Sequence, residues 1–183
     1  MVDLFTIGHS THSAEQFCAL LAEHQIELLA DIRRYPGSRK FPHFNRENLG
    51  DTLAKAGITY RWFEDLGGRR KGTATEASPN MGLRNQSFRN YADYMLTDVF
   101  HRAIDELLKE ARARRTAYMC SESVYWRCHR RLVSDFLTAR GDTIQHIMPN
   151  GDLRPHALTP EAVVADGNVT YPAASDPQGT LFE

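Results

Sequence analysis

YMCSESVYWRCHRRL, residues Tyr118 to Leu132, changes character twice. With Thr116 and Ala117 before it, Tyr118-Met119-Cys120 reads as a short buried strand, and Ser121 to Trp126 as the polar and aromatic loop at its exit. After Cys128-His129-Arg130, the apolar residues Leu132, Val133, Phe136 and Leu137 recur at helical spacing. If strand, loop and helix repeat along the chain in this order, the fold is a parallel sheet covered by helices.

They do repeat. Val2 to Ile7 is β-branched and aromatic and stops at Gly8-His9-Ser10-Thr11. Ser13-Ala14-Glu15-Gln16 has the form of a capping box, and Phe17, Leu20 and Leu21 then share one helical face to about His24. Ile26 to Ile32 is the second strand, with Arg33, Arg34 and Tyr35-Pro36-Gly37-Ser38-Arg39 beyond it. A helix from Asn45 to a stop at Gly57 leads into a third strand, Ile58 to Phe63, whose exit is Leu66-Gly67-Gly68-Arg69-Arg70-Lys71. Residues 73–85 read as a long insertion, and Phe88 to about Arg112 as one helix, the longest. Thr143 to Met148 closes the set. The expected fold is therefore α/β, a mostly parallel sheet of about five strands with helices on both faces, over residues 1–149. Residues 150–183, rich in proline and without a sustained period, read as an extended tail, either wrapped on the domain or disordered.

The composition narrows the function classes. The chain has 183 residues, with 22 Lys+Arg against 23 Asp+Glu and a formal charge of -1, so no global cationic field draws it to nucleic acid. Any polyanion contact has to be local. No leader pattern and no membrane-spanning apolar window are legible, and three cysteines make an odd count for a disulfide framework, so the expectation is a cytoplasmic protein whose cysteines are free thiols or ligands, with no membrane partner.

In a parallel sheet, ligands bind beyond the carboxyl ends of the strands. That rule gathers His9 and Ser10, Asp31, Arg33 and Arg39, Gly67, Gly68 and Arg69, and the loop with Glu122, Cys128, His129 and Arg130 on one rim. The loop admits several chemistries. Cys120, Cys128 and His129 are capable metal ligands, but the wide cysteine pair with an adjacent histidine is unlike a paired zinc knuckle, and no metal is assigned. Cys128 near a helix start, flanked by Arg127, His129, Arg130 and Arg131, suits a reactive thiolate. The same helix start presents N–H dipoles and cations to an anion such as phosphate. The plain alternative, that the cysteines are small buried apolar groups, is favoured for Cys120; for His129 and Arg130 a site is favoured.

Five ordered stretches, TIGHSTHSAEQF, LLADIRRYPGSRKFPHFN, GITYRWFEDLGGRR, FRNYADYM and YMCSESVYWRCHRRLV, resemble the landmarks of the domain of unknown function 488 family over roughly residues 4–148. Its last motif usually reads Cys-x-Glu, a proline, then Cys-His-Arg; Cys120, Glu122, Cys128, His129 and Arg130 match, while Val124-Tyr125-Trp126 stands where a proline-containing run is common. The resemblance implies an α/β domain with a compact polar pocket and names no reaction or cofactor.

The chain ends Asp176-Pro177-Gln178-Gly179-Thr180-Leu181-Phe182-Glu183, and Gln178 with Leu181 and Phe182 resembles the short peptide by which replication and repair proteins bind the sliding clamp. Rim cations interleaved with Tyr35, Phe41, Phe44, Tyr125 and Trp126 suit single-stranded or flipped-out nucleic acid. The leading expectation is an enzyme-like domain that binds a nucleotide or nucleic acid, a hydrolase or transferase in DNA maintenance. In it Ser10, Arg33, Arg39, Gly67, Gly68, Arg69 and Arg130 hold the ligand, His9 or His129 moves protons, and Asp31 or Glu122 orients or activates a group. The rivals are a non-catalytic nucleic-acid adaptor recruited by its tail, and a thiol- or metal-dependent enzyme using Cys128.

Overall fold

A strand with apolar residues on both faces has to sit inside a sheet, and the first strand, β1 (Asp3–Gly8), does. The structure, a computed structural model, describes residues 1–72 and 78–174. After β1 come α1 (Ala14–Glu23), β2 (Leu28–Asp31), α2 (Arg46–Lys55), β3 (Thr59–Trp62), α3 (Gln86–Met95), α4 (Asp98–Ala113), β4 (Thr116–Cys120), α5 (Arg130–Ala139) and β5 (Thr143–Ile147). Three short strands follow: β6 (Leu153–Pro155), β7 (Val163–Ala165) and β8 (Asn168–Thr170). The main sheet runs β3-β2-β4-β1-β5-β6. Its first five strands are parallel and β6 is antiparallel at the edge.

Alternation along the strands divides the core in two. Phe5, Ile7, Leu29, Ala117 and Met119 face α1 and α2, through Phe17, Leu21, Leu49 and Leu53. Leu4, Leu28, Ala30 and Tyr118 face α3, α4 and α5, through Tyr91, Met95, Phe100, Leu107, Val133 and Phe136. Helices therefore cover both faces, as the sequence pattern predicts. The capping box at Ser13 also forms, the Gln16 amide donating to the Ser13 hydroxyl and the Ser13 amide to the Gln16 side chain.

Two expectations need correction. The run from Phe88 to Arg112 is two helices, because the Thr97 hydroxyl accepts the Phe100 N–H and starts α4 afresh after Leu96. The residues after 150 are not simply an extended tail: β6 joins the sheet, β7 and β8 form a hairpin, and Val169 and Tyr171 lie in the core. The insertion is similarly anchored at 78–85, where buried Asn80 accepts the Tyr171 N–H at 2.8 Å and donates to Asp93.

The C-terminal segment is tied in through a buried carboxylate on α5. Asp135 accepts hydrogen bonds from Tyr171 Oη at 2.8 Å, from the Thr159 backbone N–H at 2.8 Å and from His156 Nε2 at 2.9 Å. A chain stopped after residue 149 lacks all three donors and leaves a desolvated charge; urea unfolding should show it less stable by on the order of 3–5 kcal/mol or unfolded outright. Tyr171→Phe should cost only about 1–3 kcal/mol.

Candidate functional site

The carboxyl ends of the parallel strands open on a cavity of about 780 Å³. β1 delivers His9 and Ser10 to it, β2 delivers Arg33 and Arg34, and the turn after β3 delivers Gly68 and Arg69. The exit of β4 contributes Cys120 and Glu122, and the approach to α5 contributes Arg127, Cys128 and His129. Phe88 and Tyr91 of α3 form one wall. The rim rule thus brings most of the predicted site residues together. Gly67 and Arg130 lie behind the wall, and exposed Arg39 is not part of it. Gln178, Leu181 and Phe182 lie outside the described residues.

Asp31 is also behind the wall, fully buried. Its carboxylate accepts from Arg33 Nε at 2.9 Å and Nη2 at 2.6 Å, from the Arg33 backbone N–H at 3.0 Å and from the Tyr60 hydroxyl at 2.7 Å. Burial works against the Arg33 charge, but the Asp31 bonds outweigh it and hold the guanidinium above its ordinary pKa. Asp31 positions Arg33 rather than reaching a ligand. His9 does the same from the other side: its Nδ1–H donates to the Ser10 carbonyl at 3.0 Å, its Nε2 accepts from Arg33 Nη1 at 3.3 Å, and its ring stacks on Phe44. Burial, then the Arg33 charge, lower its pKa to about 4. His9 is therefore neutral at pH 7 with both nitrogens engaged, which removes it as the expected proton donor.

His129 keeps one nitrogen free for chemistry. Its Nε2–H donates to the Ile32 carbonyl at 2.9 Å, which turns Nδ1 toward Cys120 Sγ, 3.9 Å away. Gly68 packs on this ring so closely that a Cβ there would lie 2.9 Å from Nδ1. Cys120 and Cys128, both buried, also contribute to the cavity wall. They titrate as a pair: the hydrogen bond from the Cys128 thiol, with His129 and Arg130 adding, holds Cys120 well below the usual thiol range, while burial pushes Cys128 well above it. The two sulfurs and His129 Nδ1 lie within 4.8 Å of one another. The sequence spacing argues against such convergence; a 3-10 turn over Tyr125–Arg127 folds the loop back and produces it.

Arg130 lies 1% exposed beneath this floor. Its Nε and backbone N–H donate to Cys128 Sγ at 3.2 and 3.4 Å, its Nη2 to the Glu122 carbonyl at 2.5 Å, and its Nη1 to the Thr6 hydroxyl at 3.4 Å. Among the described residues it makes no ion pair. Instead a chain of hydrogen bonds leads away from it: Thr6 to His146 Nδ1 at 2.7 Å, His146 Nε2 to His156 Nδ1 at 2.9 Å, and His156 to Asp135. Burial, then the charges of His156, Arg130 and Arg154, depress His146 to about 2, so it is neutral and every bond can point from the cation to the carboxylate. The sequence reading misses this chain, although Thr6 and Asp135 stand as polar residues within otherwise apolar runs.

The expected aromatic platform is thinner than the sequence suggests. Phe44 is core, and Tyr125 lies flat on His146 at 3.5 Å between ring centroids. Tyr35, 66% exposed, and Phe41 remain at the cavity with Phe88. Of the four non-glycine residues with left-handed backbone among the described residues, Ser10 and Arg69 both line the cavity, at φ 48° and 58°. Such strain costs about 1–3 kcal/mol per residue and collects at functional sites.

Against known proteins, residues 13–137 match the sequence profile of the family described as Domain of unknown function DUF488. No curated protein and no solved structure matches the chain.

A Cβ on Gly8 would lie 1.8 Å from the Glu122 carbonyl and 2.9 Å from Arg130 Nη2. Gly8→Ala should therefore push the loop after β4 off its seat and lower the melting temperature, with Cys120 and Cys128 alkylated faster than in the parent protein. A second outcome concerns pH. The His146 pKa falls from 6.5 to about 2 on folding, so the unfolded chain takes up the proton first as pH drops. Its contribution is complete above about pH 6.5 and is lost below it at about 1.4 kcal/mol per pH unit. His9, depressed to about 4, adds a second such loss over the same range, so urea titrations from pH 7 to 4.5 should show about twice this slope, and His146→Gln should keep only the His9 part.

Proposed function

We propose that the chain, which belongs to the DUF488 family, is an enzyme that binds a phosphate-bearing ligand in the rim cavity and carries out hydrolysis or group transfer on it. One observation carries this reading: four arginines, Arg33, Arg34, Arg69 and Arg127, line the cavity against a single carboxylate, Glu122, in a chain whose net charge is -1. Two of them are neutralised from behind, Arg33 by Asp31 and Arg34 by Glu64. Arg69 and Arg127 make no ion pair among the described residues, so they supply the unbalanced positive charge. A ligand phosphate replaces water around these two groups and gains charge-assisted hydrogen bonds.

The ligand class that fits best is a nucleotide or a nucleic-acid strand. Exposed Tyr35, with Phe41 and Phe88, offers a base stacking surface beside the arginines. The serine hydroxyls of Ser10, Ser121 and Ser123 supply further donors along the wall. Glu122 at the mouth and the free Nδ1 of His129 at the floor are the groups available to move protons. Arg130 builds this floor from below and is a positioning residue. The tail motif with Gln178, Leu181 and Phe182 links this ligand class to DNA maintenance, with the sliding clamp as partner, and that link rests on sequence alone.

Arg69→Ala and Arg127→Ala should each weaken binding of a 5′-phosphorylated single-stranded oligonucleotide by about 10-fold or more, from the loss of a charged hydrogen bond. Raising the salt concentration should reduce the parent's affinity more than either variant's. Unchanged affinity in both variants overturns the reading. Glu122→Gln separates enzyme from adaptor, because an enzyme loses turnover while keeping oligonucleotide affinity.

A further inference from the structure

We infer that Cys120, Cys128 and His129 form a binding site for a soft divalent metal ion, zinc by ligand type, with its fourth coordination position facing the cavity. Cys120 Sγ, Cys128 Sγ and His129 Nδ1 lie within 4.8 Å of one another. In a tetrahedral zinc site, metal–sulfur bonds of about 2.3 Å and metal–nitrogen bonds of about 2.0 Å put ligand atoms roughly 3.4–3.8 Å apart. The 3.9 Å between Cys120 Sγ and His129 Nδ1 is already close to that edge. A contraction of about 1.4 Å at most completes the triangle.

Two features outside the triangle fit a metal better than they fit a plain pair of core thiols. The first is the Ile32 carbonyl. A ligating histidine as a rule donates its other N–H to a fixed acceptor, which sets the tautomer and aims the free lone pair at the ion. His129 Nε2 makes that bond at 2.9 Å and Nδ1 is the nitrogen left free. The second is the treatment of Cys128 Sγ, which takes the backbone N–H of Arg130, two residues on, and the Arg130 Nε. N–H donors to a metal-bound thiolate disperse its charge and hold its direction.

The ligand set also argues for the metal class. Two thiolates and an imidazole favour zinc over magnesium, calcium or manganese, which prefer oxygen. All three groups sit at the end of β4 or the start of α5, so the site is built before any ion arrives. Three protein ligands on one side and a cavity on the other is the pattern of a metal that holds water or a ligand oxygen, rather than of a closed structural site. The existence of the site stands apart from the ligand class proposed above; its use to activate water or polarise a phosphoryl oxygen rests on that reading, and with an ion bound at His129 Nδ1 the proton-moving role falls to Glu122 alone.

The test starts from chelator-treated full-length protein in reducing buffer, titrated with cobalt(II). Binding of one equivalent should bring the intense visible bands of a tetrahedral ion and a thiolate-to-cobalt charge-transfer band, both displaced by zinc. Cys120→Ser, Cys128→Ser and His129→Gln should each weaken cobalt by more than about 100-fold, with circular dichroism checking the fold. A second measurement needs no variant: zinc should slow iodoacetamide alkylation of Cys120 and Cys128 in the parent protein while leaving the half-buried Cys18 on α1 unchanged. Absence of the charge-transfer band at one equivalent, or equal alkylation rates with and without zinc, overturns the site. Oligonucleotide affinity measured in chelator, with Arg69→Ala as reference, reports on the ligand reading separately.

Discussion

A single buried guanidinium holds the rim together. Arg130 reaches β1 through Thr6, the loop after β4 through the Glu122 carbonyl, and the start of its own helix through Cys128. A desolvated cation is costly unless its donors are satisfied, so each of these partners is constrained to stay where it is. Because no carboxylate touches Arg130 among the described residues, the compensating charge lies at a distance, at Asp135, joined to it through Thr6, His146 and His156. The cavity floor and the C-terminal segment are consequently parts of one electrostatic unit.

That arrangement explains how a chain with almost balanced charge can have a polarised site. Charges that serve the framework are paired and withdrawn from the surface, as Asp31 is behind Arg33. Charges at the mouth, Arg69 and Arg127, are left facing water. Polar groups nearby are spent on position: His9 gives both ring nitrogens to holding Arg33 and the loop at Ser10.

Much of this was legible in the sequence, and the limits have physical causes. The parallel sheet follows from apolar runs that end in polar loops, and the strand-exit rule then groups His9, Arg33, Arg69 and His129 without any coordinates. Whether a rim residue faces the cavity or supports it from behind depends on side-chain direction, which a linear pattern does not encode; Asp31 and Arg130 went the supporting way. The break between α3 and α4 escapes because Leu96-Thr97 interrupts neither apolar spacing nor propensity strongly, and a single hydroxyl cap decides it. β6 to β8 escape because three-residue strands have too little period to detect. The convergence of Cys120, Cys128 and His129 depends on one turn of 3-10 helix, a local choice below the resolution of spacing arguments.

The position of β1 has a consequence for biosynthesis. β1 leaves the ribosome well before its partners, since it pairs with β4, from Leu4 against Thr116 onward, and with β5, from Asp3 against Thr143 onward. Its two edges therefore stay open until most of the chain has been made, and contacts of such large sequence separation slow folding. The last link to Arg130 waits longer still, for His156 to emerge and reach both His146 and Asp135. A nascent chain thus has its arginines and cysteines in hand long before it has a cavity to put them in.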